Sequence, residues 1–482
     1  MAMGKEWAKW EQFRATIPCP KKVLAKYPDN LKIIGTRWVF THKGDGTAKA
    51  RLVVQGCQEN LKDVRGDAPT GSRDSMMMVI AFGSQTSWSL SQWDADSAYL
   101  QSEGLDRALL LRMPDPAPPG HQPGDIVVAT GAIYGIKDAG RQWYLHLKKT
   151  MDDLGVVECV LEKGLYRFYH NGAVRMVIHT HVDDLLVAMD MSSTHAKEVL
   201  QKMKASLHLK GSDGRSFVYL ARNITIADDK VTISQAKAAA NLEMVFVGKD
   251  RRSHPNAPHT PEEKSEYRSI IGSLAWLAQQ TRMDIAVAVN KLAQRIEKAE
   301  IQDLLQANAV VRMVQRSVDR AIVIRRGIFD PKDLALIGFG DASFASSEEL
   351  KSQAGELLIA TRPKDITKVR DGAYDKGVLL SYRTATIKRV VRSTLSSEGY
   401  AISETAELLE WTRYVIAELV MEPGTDLSDV QAHAESIQSV VFTDSHGLAD
   451  TVAKDTSANA DRRFKLVVAM LRQTFSSTKL RL

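Results

Sequence analysis

Two adjacent acids stand between two apolar runs in the stretch MVIHTHVDDLLVAMD, residues 176–190. Met176, Val177 and Ile178 precede them, and Leu185, Leu186 and Val187 follow. Short apolar runs broken by a polar pair predict two buried strands joined by a tight turn, with Asp183 and Asp184 at its tip. A carboxylate pair in that position either bonds the local backbone, as turn aspartates commonly do, or offers hard oxygen ligands to a cation. The stretch alone leaves both readings open.

At 482 residues the chain is too long for one core and predicts about three units. Its 44% hydrophobic and 25% charged residues are ordinary for a water-soluble globular protein. The 64 Lys and Arg against 58 Asp and Glu give +6 and a pI near 8.9, which permits a nucleic-acid partner without demanding one. Cys19, Cys57 and Cys159 form neither a zinc-type pair nor a disulfide framework, so a reducing compartment is expected. MAMGKEWAKWEQF lacks the apolar core of a signal peptide, and runs such as MMMVIAF are far short of a membrane span. The expectation is a cytoplasmic chain with no membrane association.

Residues 1–30 read as a polar lead-in. Trp38–Val39–Phe40, the turn residues Gly44–Asp45–Gly46 and Leu52–Val53–Val54 predict a hairpin. SMMMVIAFGSQT predicts a buried helix, LSQWDADSAYL a strand running into a helix, and PDPAPPGHQPG (114–124) a loop. RQWYLHLKKTMDDLG predicts a helix ending at Gly155. Residues 247–266, with three prolines and many charges, read as a linker leading into a helix pair. A second α/β unit begins near DLALIGFGDASFA, and the chain ends in a basic helix.

Asp94 closes the strand-like LSQW. A strand-end acid facing a two-Asp hairpin can hold two divalent metals about 3.5–4 Å apart. Lys49 and Arg51 in the proposed hairpin can supply cations for a triphosphate, although a solvated strand edge would explain them as well. Phosphoryl transfer needs little beyond such ligands, an aligned hydroxyl and those cations.

KARLVVQG, QWDADSAYL, IYGIKDAGRQWY, HVDDLLV and YRSIIGSLAWLAQQTRMDIAVAVNKL occur in an order and spacing that resemble the copia-type retrotransposon reverse transcriptase. The resemblance implies an α+β and α/β multidomain chain, a right-hand polymerase with fingers, palm and thumb followed by a ribonuclease H-like α/β domain. The implied divisions are a lead-in at 1–30, fingers and palm at 31–246, linker with thumb and connection helices at 247–330, and the ribonuclease H-like domain at 331–482. Carried over by position, Asp94, Asp183 and Asp184 match the catalytic metal ligands, and Lys49 and Arg51 the triphosphate-binding strand. Tyr99 matches the aromatic that excludes a 2′-hydroxyl. Gly135 and Lys137 match the block lining the template and nucleotide side. The chain departs from the family at His181, where Tyr is usual, at Asp138 and Gly140 for Gln and Pro, and at Met283 for Pro. Asp138 is thereby expected near a surface that meets nucleic acid.

In the C-terminal unit, Asp341 and Asp444 end strand-like runs, and Glu398 lies on a helix. Two strand-end acids and a helical Glu can form another two-metal site, and their order resembles the ribonuclease H domain that follows copia-type polymerases. The fourth acid of that family falls on Lys465, with Asp461 one helical turn earlier. A Lys there repels a metal, so cleavage of the RNA strand is expected to be impaired.

The resemblance further implies Mg²⁺ or Mn²⁺, two per active site. It implies an RNA template, a DNA primer, an RNA–DNA hybrid and deoxynucleoside triphosphates as partners, and residence in retrotransposon particles with nuclear access possible. A decayed or co-opted copy that binds hybrids without catalysis is the competing reading. Oligomeric state is not legible.

Overall fold

The computed structural model describes residues 2–28, 31–42, 46–59, 64–85, 88–102, 104–347, 350–371, 377–454 and 461–477. The predicted first hairpin is present. Strand Ile33–His42 pairs antiparallel with Ala48–Val54, Trp38 opposite Leu52, while Gly44 and Asp45 lie outside the described residues. Ala50, Leu52 and Val54 point into a core, so the period-2 alternation turns Lys49 and Arg51 to the other face. Three further strands complete a five-stranded sheet: Leu110–Arg112, Ile126–Ala129 and Thr16–Pro18. The expected loop at 114–124 contains neither helix nor strand.

The first 30 residues are more than a lead-in. Helix Ala2–Gln12 carries Trp7 and Trp10 three apart, on one face, and buries both against Leu52, Val54 and Ile133. Strand Thr16–Pro18 pairs with Ile126–Ala129. Two tryptophans at helical spacing were the signal that the polar composition masked.

The acidic hairpin forms the centre of a six-stranded antiparallel sheet, ordered Leu209–Ser212, Trp88–Ala95, Asp184–Asp190, Ala173–His181, Leu165–His170, Val156–Glu158. Helices cover both faces, which is why its strands read as continuous apolar runs. Trp93, Leu185 and Val187 pack with Trp143 and Leu147 of helix Ala139–Asp153 and with Leu200 of Thr194–Ser206. Leu90, Leu186 and Val177 pack with the Met-rich helix Arg73–Gly83.

Residues 247–266 depart from the linker expectation. Helix Lys249–Ser253 places Arg251 2.7 Å from Glu263, and Thr260 and Glu263 form a capping box that starts helix Pro261–Gln280. Among the charges that suggested a solvated linker, Arg251 and Glu263 pair with each other and Lys264 pairs with Glu297. The predicted helix pair is Pro261–Gln280 and Ala286–Gln294; with Ile301–Gln315 it encloses Tyr267, Leu274, Leu304 and Val311. Strands Ser216–Tyr219, Arg222–Ile226, Lys230–Ser234 and Ile322–Arg325 form a small sheet on either side of this helical segment in sequence.

The C-terminal sheet is ordered Val378–Thr386, Gln353–Thr361, Ala335–Ser343, Ser439–Phe442, the last pair parallel. Helix Thr394–Val420 lies so close to it that a Cβ at Gly340 would sit 2.6 Å from Thr405 Oγ1. This sheet shares one continuous core with the Arg73–Gly83 helix and the central sheet, Leu358 and Leu380 joining Leu186 and Val177. Among the described residues, no helix is long and apolar enough to cross a membrane.

Candidate functional site

Register brings the first acid set together. Asp184 pairs directly with Asp94, and an opposed pair in an antiparallel ladder presents both side chains on one face. Asp183 sits in the two-residue turn with Val182, and its carbonyl accepts the Ala95 N–H at 2.8 Å. Val182 has φ +57°, a strained conformation for a β-branched residue, and its carbonyl accepts the Trp143 indole N–H at 2.7 Å. Gln92 donates to Asp184 Oδ1 at 3.1 Å. Burial and the neighbouring Asp183 and Asp184 push Asp94 up to about 6. Burial and Asp183 likewise raise Asp184. Crowded carboxylates are hard oxygen donors of the type a divalent cation prefers.

The proposed nucleotide residues gather at this corner. Lys49 acts electrostatically on Asp94. Tyr99 lies on the short helix Ala98–Gln101, its ring 5.0 Å from that of Tyr134, over which the Arg51 guanidinium sits at 5.7 Å. Burial raises the Tyr99 phenol, Asp183 adds to that rise and Arg51 opposes it, so both charges are within reach of the ring. Gly135 has φ +97°, and a Cβ there would stand 2.1 Å from the Val54 carbonyl. Only glycine lets this loop lie against the Lys49–Arg51 strand, where the Val54 N–H donates to the Tyr134 carbonyl at 2.8 Å. Lys137 follows, exposed.

One acid differs from expectation, and another carried none. Asp138 does not face a nucleic-acid surface: it is 2% exposed, and Arg107 grips its two carboxylate oxygens at 2.8 and 2.9 Å. Arg107 also reaches Glu59 at 3.0 Å, a pairing between distant segments that no local motif announces. Arg107→Ala should strand a buried charge and lower stability by about 3–5 kcal/mol, read as a fall in the thermal midpoint, whereas a surface acid would barely respond. Asp96, unremarked in the motif, is held by Lys9 and Lys210, each at 2.5 Å. Against the upward pull of burial, those two ammonium groups keep it at about 2. His181 lies opposite Asp184 in the hairpin and is half-buried.

The second acid set converges more tightly. Among the described residues, Asp341, Glu398 and Asp444 are the acids that each bring a ligand atom within 4.8 Å of the others, a spacing that Asp94, Asp183 and Asp184 do not reach. Parallel pairing of Ala335–Ser343 with Ser439–Phe442 sets the two aspartates side by side, and helix Thr394–Val420 lowers Glu398 over them. Glu398 is 6% exposed, and its Oε2 has no hydrogen-bond partner. Burial, then Asp341 and Asp444, push it up to about 7. An orphaned buried carboxylate oxygen beside two acids fits a cation site. The terminal helix Arg462–Ser477 packs Phe464 onto Gly399; Lys465 beside it is exposed, and Asp461 receives the Arg463 and Phe464 N–H groups at the helix start.

The site thus consists of a hairpin of paired acids facing a strand acid, with a cationic strand alongside. Residues 22–246 match the family described as "Reverse transcriptase (RNA-dependent DNA polymerase)". The chain is a relative of copia-type retrotransposon Pol polyproteins over most of its length. It is 24% identical over 424 residues to the "Retrovirus-related Pol polyprotein from transposon RE2" of Arabidopsis thaliana, covering 83% of this chain and 27% of that protein. The corresponding polyprotein from transposon RE1 is also 24% identical, covering 81% of this chain and 26% of that protein. The "Transposon TyH3 Gag-Pol polyprotein" of Saccharomyces cerevisiae is 22% identical, covering 82% and 23%. The chain thus spans about a quarter of the length of these curated relatives.

Proposed function

We propose that this chain is an RNA-directed DNA polymerase that transfers deoxynucleotides onto a primer 3′-hydroxyl, with a linked ribonuclease H-like domain whose cleavage is impaired. The observation that carries the reading is the Asp94–Asp184 register, with Asp183 at the hairpin tip, inside the segment that matches the reverse transcriptase family. Divalent cations, when bound to Asp94, Asp183 and Asp184, supply positive charge for the triphosphate and for the attacking oxygen. Lys49 and Arg51 neutralise the triphosphate from the neighbouring strand. Tyr99 bounds the sugar, and Gly135 holds the loop that closes the nucleotide side. The partners are an RNA template, a DNA primer and their hybrid, in the setting of retrotransposon particles. The division into fingers, palm, thumb and ribonuclease H-like domain belongs to the same proposal. Primer extension on an RNA template tests the reading.

Sugar selection gives a second test. Tyr99→Ala should raise ribonucleotide incorporation relative to deoxyribonucleotide incorporation in competition assays. An unchanged ratio in an active enzyme would leave Tyr99 a packing residue.

The raised acids set a pH dependence. The folded-state values, about 7 for Glu398 and about 6 for Asp94, lie above the ordinary 4.5 and 3.8. Between those values the folded chain binds more protons than the unfolded chain, so metal-free stability falls as pH rises through them. A cation must displace those protons. Stabilisation by added Mg²⁺ should therefore be small at about pH 5 and grow by about pH 8, read by thermal denaturation. A metal-induced shift that does not change with pH would contradict this. In the C-terminal site, three acids without a fourth should give slow hybrid-RNA cleavage with Mg²⁺, and Mn²⁺ should recover part of it. Brisk Mg²⁺-dependent cleavage would show that another acid, such as Asp461, completes the set.

A further inference from the structure

His179 and Tyr219 lie behind the acidic corner and have no part in the metal or nucleotide contacts above. His179 faces the same side of its strand as His181 and pairs with Leu186, one same-face step in from Asp184. It is 1% exposed, and both ring nitrogens are engaged: Nε2 is 2.9 Å from the Ser72 carbonyl, and Nδ1 is 2.6 Å from the Tyr219 hydroxyl. A carbonyl oxygen only accepts, so Nε2 carries the proton and Nδ1 accepts from the Tyr219 O–H. Burial pushes the imidazole down to about 4 and keeps it neutral.

The surroundings are shaped to this ring. A Cβ at Gly71 would come within 2.4 Å of it. The Gly71 N–H donates to the Thr180 carbonyl at 2.9 Å, and the Thr180 N–H to the Gly164 carbonyl at 2.8 Å. Ser72, whose carbonyl His179 meets, caps helix Arg73–Gly83 through its side chain. Tyr219 is fully buried; burial raises its phenol well above the usual value, and Asp184 adds to the rise, which places the hydroxyl within electrostatic reach of a catalytic acid. Leu165 and Leu186 flank the position in the ladder, so an aliphatic side chain would suit the core. A buried imidazole there costs free energy unless its polar atoms are matched, and here they are matched to two separate elements.

We infer that His179 and Tyr219 are a positioning pair that holds the Asp183–Asp184 hairpin in the register that aligns it with Asp94. The inference rests on the polymerase reading for its catalytic consequence. The pair touches neither substrate nor cation; it acts through the strand that carries the acids. Misplacement of reacting groups by about 1 Å can cost on the order of a hundredfold in rate, so a small slackening should be visible.

The test uses the full chain and three variants: Tyr219→Phe, which removes one hydroxyl, His179→Gln, whose amide can still donate to Ser72, and His179→Leu. Primer extension by Tyr219→Phe should lose about ten- to a hundredfold in kcat, with KM for the nucleotide held within about twofold. His179→Gln should be milder than His179→Leu. Backbone amides of 180–186 should exchange faster in Tyr219→Phe, while those of helix Pro261–Gln280 are unchanged. Mn²⁺ affinity, measured by calorimetry in an Asp341→Asn background, should weaken by about fivefold or more, since slack ligands bind metal less well. If the unaltered chain does not extend primers, the polymerase reading fails, and exchange with Mn²⁺ binding still decides the positioning claim. Unchanged exchange and Mn²⁺ affinity in Tyr219→Phe, or a rise in KM with kcat intact, would overturn it.

Discussion

Asp183→Asn is expected to abolish primer extension while leaving RNA–DNA hybrid binding intact. The substitution keeps the size of the side chain and removes one charge from a set of three. It takes away a carboxylate oxygen of the proposed ligand set at the tip of the hairpin, where Asp183 acts on Asp94, Asp184 and Tyr99 alike. A ligand of this kind stabilises transition-state charge by several kcal/mol, and each 1.4 kcal/mol is about tenfold, so a loss on the order of a thousandfold or more follows. Hybrid affinity rests chiefly on phosphate contacts made by basic residues and should change little. The same substitution should pull Asp94 part of the way back toward its ordinary range, because one of the three carboxylates that raise it is gone while its burial remains. Quenched-flow extension paired with hybrid-binding titrations reads both effects. Activity within about tenfold of the unaltered chain would remove Asp183 from the ligand set.

Glu418→Ala should produce a large loss of stability. Glu418 lies near the end of helix Thr394–Val420, and its carboxylate leaves the C-terminal unit to accept the Val160 and Leu161 N–H groups at 2.6 and 3.0 Å. It also pairs with Arg167 at 3.2 Å, with both side chains 5% exposed. Removing it leaves a buried guanidinium without its carboxylate and two amides without their acceptor. Breaking one side of a buried pair costs about 3–5 kcal/mol. Because the pair joins the central sheet to the C-terminal helix, the two regions should begin to melt separately in calorimetry. Arg73 makes a second tie, donating to Ser381 and to the Tyr382 carbonyl. A single cooperative transition at an unchanged midpoint would show that the interface does not depend on Glu418.

Local pattern carried much of this fold. The acidic hairpin, the Lys49–Arg51 strand, the helix at Arg73–Gly83 and the order of the C-terminal elements follow from periodicity and turn residues within a few positions of each other. What was hidden depends on distant partners. Asp138 read as a surface charge because its partner, Arg107, lies 31 residues away. The 247–266 stretch read as a linker because its charges gave no hint that Arg251 would close on Glu263. The N-terminal helix was masked by polar composition, although Trp7 and Trp10 at three-residue spacing pointed to a buried face. At the candidate sites the acids were legible through residue type and strand position taken together with the order of the blocks that resemble the copia-type family, since the stretch around Asp183 and Asp184 alone left the turn reading open. His179 was not, because its meaning comes from Ser72 and Tyr219, which only the folded chain brings to its two nitrogens. The resemblance puts Lys465 where the family has its fourth acid; Lys465 is exposed on the terminal helix, and among the described residues Asp341, Glu398 and Asp444 are the acids that converge.

The central claim meets its most direct test in single-nucleotide addition by the unaltered chain to a DNA primer annealed to RNA, with Mg²⁺ present. The four deoxynucleoside triphosphates are offered one at a time, and extended primer is read on a sequencing gel. The proposed function predicts addition of the complementary nucleotide in preference to the other three, and its loss in Asp183→Asn. Bound hybrid without any extension in the unaltered chain, in Mg²⁺ and in Mn²⁺, would contradict it.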